Sequence, residues 1–131
     1  MEIDNPTALA ELEAAFAAYE RALTSNDVPT LDRLFWASSK VIRYGATENL
    51  YGSAEIEAFR AARPSTGLER TLERTVITTF GRDHGTASTL FRRASMPGKI
   101  GRQMQTWVRF PEGWRVVAAR RPDSARAARP H

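Results

Sequence analysis

The apolar residues of this chain change their period once. Up to Arg63 they recur at three- and four-residue spacing; from Thr71 onward, runs rich in threonine and β-branched residues are cut by short turns. One strand-like unit, Val41–Gly52, interrupts the helical part. Helices first and consecutive strands afterwards predict an α+β domain, with the helices packed on one face of an antiparallel sheet.

Asn5-Pro6 reads as a helix start, with Asn5 as cap and Pro6 in the first helical position. Leu9, Leu12, Phe16, Tyr19 and Leu23 then form one apolar stripe of a long amphipathic helix. Ser25-Asn26-Asp27 ends it and caps a second helix, with Leu31, Leu34 and Phe35 as its buried side and Trp36 at its close. Ser53 is expected to cap a third helix, with Ile56 and Phe59 inward, that stops near Arg63-Pro64 because a residue before proline avoids the helical region. Thr71–Phe80, Thr86–Ala94, Arg102–Phe110 and Trp114–Ala119 follow as a meander, with His84 in the first of its turns. In the third of these strands Gln103, Gln105, Trp107 and Arg109 share one face. Residues 1–119 thus read as a single domain, and residues 120–131, charged and aperiodic, as a loose basic tail.

Two residues stand out from this pattern. Arg43 lies within the β-forming run Val41-Ile42-Arg43-Tyr44, on the face of Val41 and opposite Ile42 and Tyr44. A guanidinium in a covered strand requires a partner. That partner is either a ligand carboxylate, which arginine holds by a two-pronged bond, or an acid of the same chain such as Glu48. Tyr19 lies inside the apolar stripe, so its ring is expected to be buried and its hydroxyl to need a partner. Its role is either that of a core tyrosine or that of a site residue, and a curved sheet wrapped around the first helix would let Tyr19 and Arg43 point into one pocket. Trp36 and Trp107 fit a pocket wall and a core equally well. Glu48 fits the role of a base or that of an ion-pair partner.

Composition removes several kinds of chemistry. There are no cysteines, so disulfides, thiolate catalysis and zinc–thiolate sites are excluded. The histidines are His84 and His131, too few for a multi-histidine metal site or a convincing Ser-His-acid triad. No metal and no cofactor is expected. No apolar run is long enough to span a bilayer, and Met1–Asp4 lacks the basic start of a signal peptide, so the cytoplasm is the expected location. The net charge of +4 is uneven: residues 1–57 carry 4 basic and 10 acidic groups, residues 58–131 carry 15 and 5. The arginines of the second part are spread along strands without an aromatic–glycine RNA motif, so nucleic acid is not the expected partner. Contact between acidic helices and a basic sheet accounts for the asymmetry.

The order helix–helix–strand–short strand–helix–meander, ending in Glu112-Gly-Trp-Arg-Val-Val-Ala-Ala119, resembles the nuclear-transport-factor-2-like cone fold. SnoaL-type cyclases and ketosteroid isomerase share that fold. Within it, Phe35-Trp36, Arg43-Tyr-Gly-Ala-Thr-Glu-Asn-Leu-Tyr-Gly52, Phe59-Arg-Ala-Ala-Arg-Pro64 and Gly101-Arg-Gln-Met-Gln-Thr-Trp-Val-Arg109 closely resemble the AtzH-like proteins, the group that includes the oxalurate-catabolism protein HpxZ. The resemblance implies a small-molecule enzyme of ureido-compound breakdown. The implied reaction is amide hydrolysis of a carboxylated urea, such as 1,3-dicarboxyurea to allophanate in cyanuric acid catabolism. It also implies functional association with an amidohydrolase, and cone-fold relatives commonly form sheet-to-sheet homodimers. A tyrosine on the first helix and an arginine on the first strand are implicated in the family's activity, and by motif they fall on Tyr19 and Arg43. The chain departs from the superfamily's usual Val-Ala-Ala-His ending, with Arg120 in the place of the histidine and Arg121-Pro122 after it. A non-catalytic binding or accessory subunit and a SnoaL-like isomerase or cyclase are the alternatives.

Overall fold

The structure is a computed structural model that describes residues 1–121 and 125–126. Three helices, α1 (Pro6–Thr24), α2 (Val28–Leu34) and α3 (Ser53–Ala62), pack against a curved open sheet. Its strands are β1 (Ile42–Tyr44), β2 (Asn49–Tyr51), β3 (Thr71–Phe80), β4 (His84–Arg92), β5 (Lys99–Phe110) and β6 (Gly113–Arg120). They lie in the order β2-β1-β6-β5-β4-β3, and every pair is antiparallel except β1 with β6. A short strand, β7 (Ala125–Arg126), pairs with the start of β5. The fold is thus the α+β cone that the sequence led us to expect.

Local chemistry explains the elements. Asn5 caps α1, its side chain accepting a hydrogen bond from the Ala8 N–H at 3.1 Å, and Asp27 caps α2 through Thr30. The expected cap of α3 is different. Ser53 is already helical, and Gly52 precedes it with φ of 86°. The chain leaves β2 through a left-handed residue so that the Gly52 N–H can reach the Val41 carbonyl, a conformation glycine adopts without strain. Glu55 supports this junction by accepting from the Tyr51 N–H at 2.9 Å. The end of α3 is as expected, with Arg63 extended before Pro64. His84, expected in a turn, is the first residue of β4; the turn is shorter because His84 still pairs in register with Phe80.

The helix stripe and the inward strand faces share one core. Leu12, Phe16, Tyr19 and Leu23 meet Leu31, Leu34, Phe35, Ala87, Trp107, Trp114 and Val116. The sheet bends over α1 with the help of two irregularities, one in β3 between Glu73 and Val76 and one between β5 and β6. In the second, Trp107 faces Val116 and Thr106 faces Ala118, so Val117 is an extra residue. The expected tail is only partly within the described residues: β6 runs to Arg120, Arg121 is buried, and 122–124 and 127–131 lie outside.

At Gly85, α1 packs on the sheet with no room for a side chain. A side-chain carbon there would sit 2.4 Å from Leu12 and 2.8 Å from the Thr78 carbonyl, with the backbone unable to yield cheaply. Gly85→Ala should therefore destabilise the protein by about 1–3 kcal/mol, as overpacking of a tight core does. Urea unfolding of the variant beside the parent protein measures it, and an unchanged midpoint would contradict the packing described.

Candidate functional site

The strand β1 places Val41 and Arg43 inward and Ile42 and Tyr44 outward, as the alternation requires. Arg43 is only 5% exposed. Its guanidinium lies over the Phe59 ring at 5.2 Å, and its Nη1 donates to the Glu48 carboxylate at 3.3 Å. The turn between β1 and β2 makes this pairing possible. The Gly45 N–H donates to the Glu48 carbonyl, and the Glu48 carboxylate folds back over the α-carbon of Gly45. A side chain at 45 would occupy that space, with its first carbon 1.7 Å from the carboxylate oxygen. Burial pushes the Glu48 carboxyl up, but backbone N–H groups and Arg43 outweigh it and hold the group below its ordinary value. The same contacts that lower it make Glu48 a weaker base than a free carboxylate.

Tyr19 reaches the same region from α1. Its ring is 3% exposed and contacts Phe16, Phe35 and Trp107, the last edge-on at 6.5 Å. Burial alone would raise its pKa. The attraction of Arg121, Arg70, Arg43 and Arg60 more than offsets this, and the phenol is held below its ordinary value. Three of these arginines have acid partners. Arg43 has Glu48, Arg60 has Asp32 at 2.5 Å, and Arg70 grips Glu20 through two nitrogens at 2.9 and 2.6 Å. Arg70 also donates to Gln103 on β5 at 3.0 Å.

A cavity of about 540 Å³ opens beside this cluster. Its wall includes Glu48, Phe59, Arg63, Arg93, Ser95 and Arg121. Glu48 joins the two regions, since it lines the cavity and pairs with Arg43. Tyr19 and Arg43 themselves are not on the cavity wall. Of the other expected site residues, Trp107 is fully buried beside Tyr19 and donates to Gln105 at 3.0 Å. Trp36 stacks on Phe110 at 5.7 Å, and neither tryptophan lines the cavity. Sequence reasoning missed Arg60, Arg63, Arg93 and Arg121. For Arg60 a signal existed, because it follows Ile56 by four residues on the inward side of α3. Among the described residues no group of histidine, aspartate and glutamate side chains is arranged to hold a metal ion, and no helix is long and apolar enough to cross a membrane.

The site and its motifs fall within a region, residues 1–122, that matches the AtzH-like family over its length. The chain belongs to the AtzH-like family. A protein of unknown function from the DUF3225 family of Pectobacterium atrosepticum is 58% identical to this AtzH-like chain, with a TM-score of 0.91 over 94% of this chain and 95% of the other. A cystatin-like fold protein from Burkholderia xenovorans is 43% identical, with a TM-score of 0.91 over 97% and 99% of the two chains. An NTF2-like protein of unknown function from Pseudomonas putida shares the fold at 15% identity, with a TM-score of 0.77 over 95% and 97%. No protein of curated function matches the chain.

The electrostatics of the AtzH-like core can be read spectroscopically. The tyrosines are Tyr19, Tyr44 and Tyr51. Tyr51 is raised by its hydrogen bond to Tyr44, whereas Tyr19 is lowered. A lowered phenol loses its proton at lower pH, so tyrosinate absorbance should appear in two steps, with Tyr19 first. Absorbance titration of the parent and of Tyr19→Phe checks this: the first step should vanish in the variant, and its persistence would contradict the assignment.

Proposed function

We propose that this AtzH-like protein is a small-molecule enzyme of ureido-compound breakdown that hydrolyses a C–N bond of a small carboxylated urea or amide, 1,3-dicarboxyurea to allophanate being the reaction type. The observation that carries the reading is the concentration of arginine around Tyr19 and along the adjoining cavity, where Glu48 is the one acid on the wall among the described residues. Such a place selects small anions, and guanidinium forks suit carboxylates. The family resemblance supplies the ureido part of the proposal.

In this mechanism a substrate carboxylate takes the position that the Glu48 carboxylate holds on Arg43. The displaced Glu48 leaves the guanidinium fork to the substrate. Water adds to the carbon of the departing carboxyl group and gives up a proton, the C–N bond breaks, and the leaving nitrogen takes up a proton, so that bicarbonate is released and the proton count is unchanged. Tyr19, with its lowered pKa, supplies that proton or a hydrogen bond to the developing oxyanion. No step requires a nucleophilic side chain or a cofactor. A second reading has support from one observation: Tyr19 and Arg43 lie off the cavity wall, and Arg43 already holds an acid. A protein that binds a ureido intermediate without converting it would tolerate that arrangement. A SnoaL-like isomerase or cyclase is less favoured. It would want a buried acid as base, and the buried polar residues described include no aspartate or glutamate.

Turnover of carboxylated ureas by the purified protein, with ammonia and carbon dioxide both measured, decides between enzyme and carrier. For the enzyme, Tyr19→Phe should lower kcat by about a hundredfold or more, the range of a lost general acid, while the melting temperature changes little. Arg43→Lys keeps the charge but loses the fork, and should raise KM. Full activity in Tyr19→Phe would remove the catalytic assignment.

Assembly is the remaining part of the proposal. The outer sheet face exposes Met104 by 62% and Val76 by 58%, and Ile42, Tyr44, Met104, Thr106 and Ala118 line a shallow groove of about 290 Å³ on it. Apolar surface of this kind favours association, and we expect a homodimer through this face. Sedimentation at micromolar concentration should give the dimer mass, and Met104→Glu should shift it to the monomer. A parent protein that sediments as a monomer would rule this out.

A further inference from the structure

Among the described residues, the charges buried around Tyr19 do not close. Arg43, Arg60 and Arg70 each have an acid, Glu48, Asp32 and Glu20 respectively. Arg121 is 8% exposed, lines the cavity, and has no acid among the described residues. Its backbone is fixed, because its N–H donates to the Tyr44 carbonyl at 2.7 Å where β6 lies beside β1. Its side chain is not, for Nε and Nη1 are both buried without a hydrogen-bond partner. Arg63 stands on the same wall in a similar state. Among the described residues its Nη2 reaches the neutral Asn26 at 3.4 Å, and its Nε is buried and unpartnered. A buried guanidinium left this way is costly. In keeping with that, burial pulls the pKa of Arg121 down to about 9, against the attraction of Tyr19.

Two guanidiniums on one cavity wall, each with a nitrogen left without a partner, can turn to form a receptor for an anion with two in-plane oxygens. We propose that Arg121, with Arg63 beside it, anchors a carboxylate of the cavity's ligand, as a second anion-binding position in addition to Arg43. This deepens the anion-binding part of the proposed function and rests on it, but it does not depend on whether the protein turns its ligand over. Arg121 is a binding residue in this scheme, supplied by the end of β6, whereas Arg43 comes from β1 on the neighbouring strand.

Malonate tests the idea, because it presents carboxylates and has no C–N bond to hydrolyse. Calorimetric titration at neutral pH should show the parent protein binding malonate in preference to phosphate. Arg121→Met should weaken malonate at least about tenfold, Arg121→Lys should fall between, and Arg120→Met at the exposed neighbouring position should leave binding unchanged. Melting temperature separates binding from structure. Without ligand, Arg121→Met should melt no lower than the parent, since it removes a buried cation that has no acid among the described residues, and it should lose the upward shift that malonate gives the parent. A parent that ignores millimolar malonate or prefers phosphate, a variant that binds malonate normally, or a variant that unfolds or melts well below the parent would each overturn the proposal. If malonate binds as expected and carboxylated ureas are not turned over, the anchor stands and the enzyme reading fails.

Discussion

Taking a guanidinium out of water costs several kcal/mol unless an acid or other hydrogen-bond acceptors accompany it, and this fold gathers four of them around one tyrosine. Most of what is unusual in the architecture serves that requirement. Glu20 lies one residue after Tyr19 on α1 and receives Arg70 from the approach to β3. Asp32 on α2 receives Arg60 from α3, whose guanidinium also covers the Phe35 ring at 4.5 Å. The glycine at 45 leaves room for Glu48 to fold back onto Arg43. Each ion pair also ties two elements together, so the helices are bound by charge to what they already touch through apolar surface. Removing one partner of such a pair would leave the other charge buried alone, which typically costs about 3–5 kcal/mol.

Much of this arrangement was legible in the residues. The stripe from Leu9 to Leu23 fixed α1 and the burial of Tyr19, and alternation placed Arg43 inward with Val41. Two local errors have simple causes. The Ser53 reading followed the side-chain preference of a cap, whereas the backbone needed a left-handed residue and used Gly52. The turn before β4 looked longer than it is because histidine and glycine are common in turns, yet pairing with β3 begins at His84.

Arg121 could not have been found from period alone. Strict alternation from Trp114 and Val116 would put residues 118 and 120 inward and 121 outward. The extra residue Val117 reverses the phase, so Ala119 and Arg121 face the core. A bulge changes every later side chain's face, and nothing in Arg115-Val-Val-Ala-Ala-Arg-Arg121 announces one. The ion pairs were equally hidden. Arg70 and Glu20 are 50 residues apart, and Arg60 and Asp32 are 28 apart, so only the closed fold brings them together.

The parallel pairing of β1 with β6 has a consequence for how the molecule is made. β6 lies between β1 and β5, joining the early part of the chain to the meander. Until residues 113–120 have left the ribosome, β1 and β2 have no sheet to join and β5 has an open edge. The helices and the first strand pair must therefore wait through most of synthesis, and long-range pairing of this kind is slow to form. Arg121 follows directly on that closing strand. The cation-lined cavity is accordingly among the last features to take shape, and a nascent chain does not present it to small anions before its sheet is sealed.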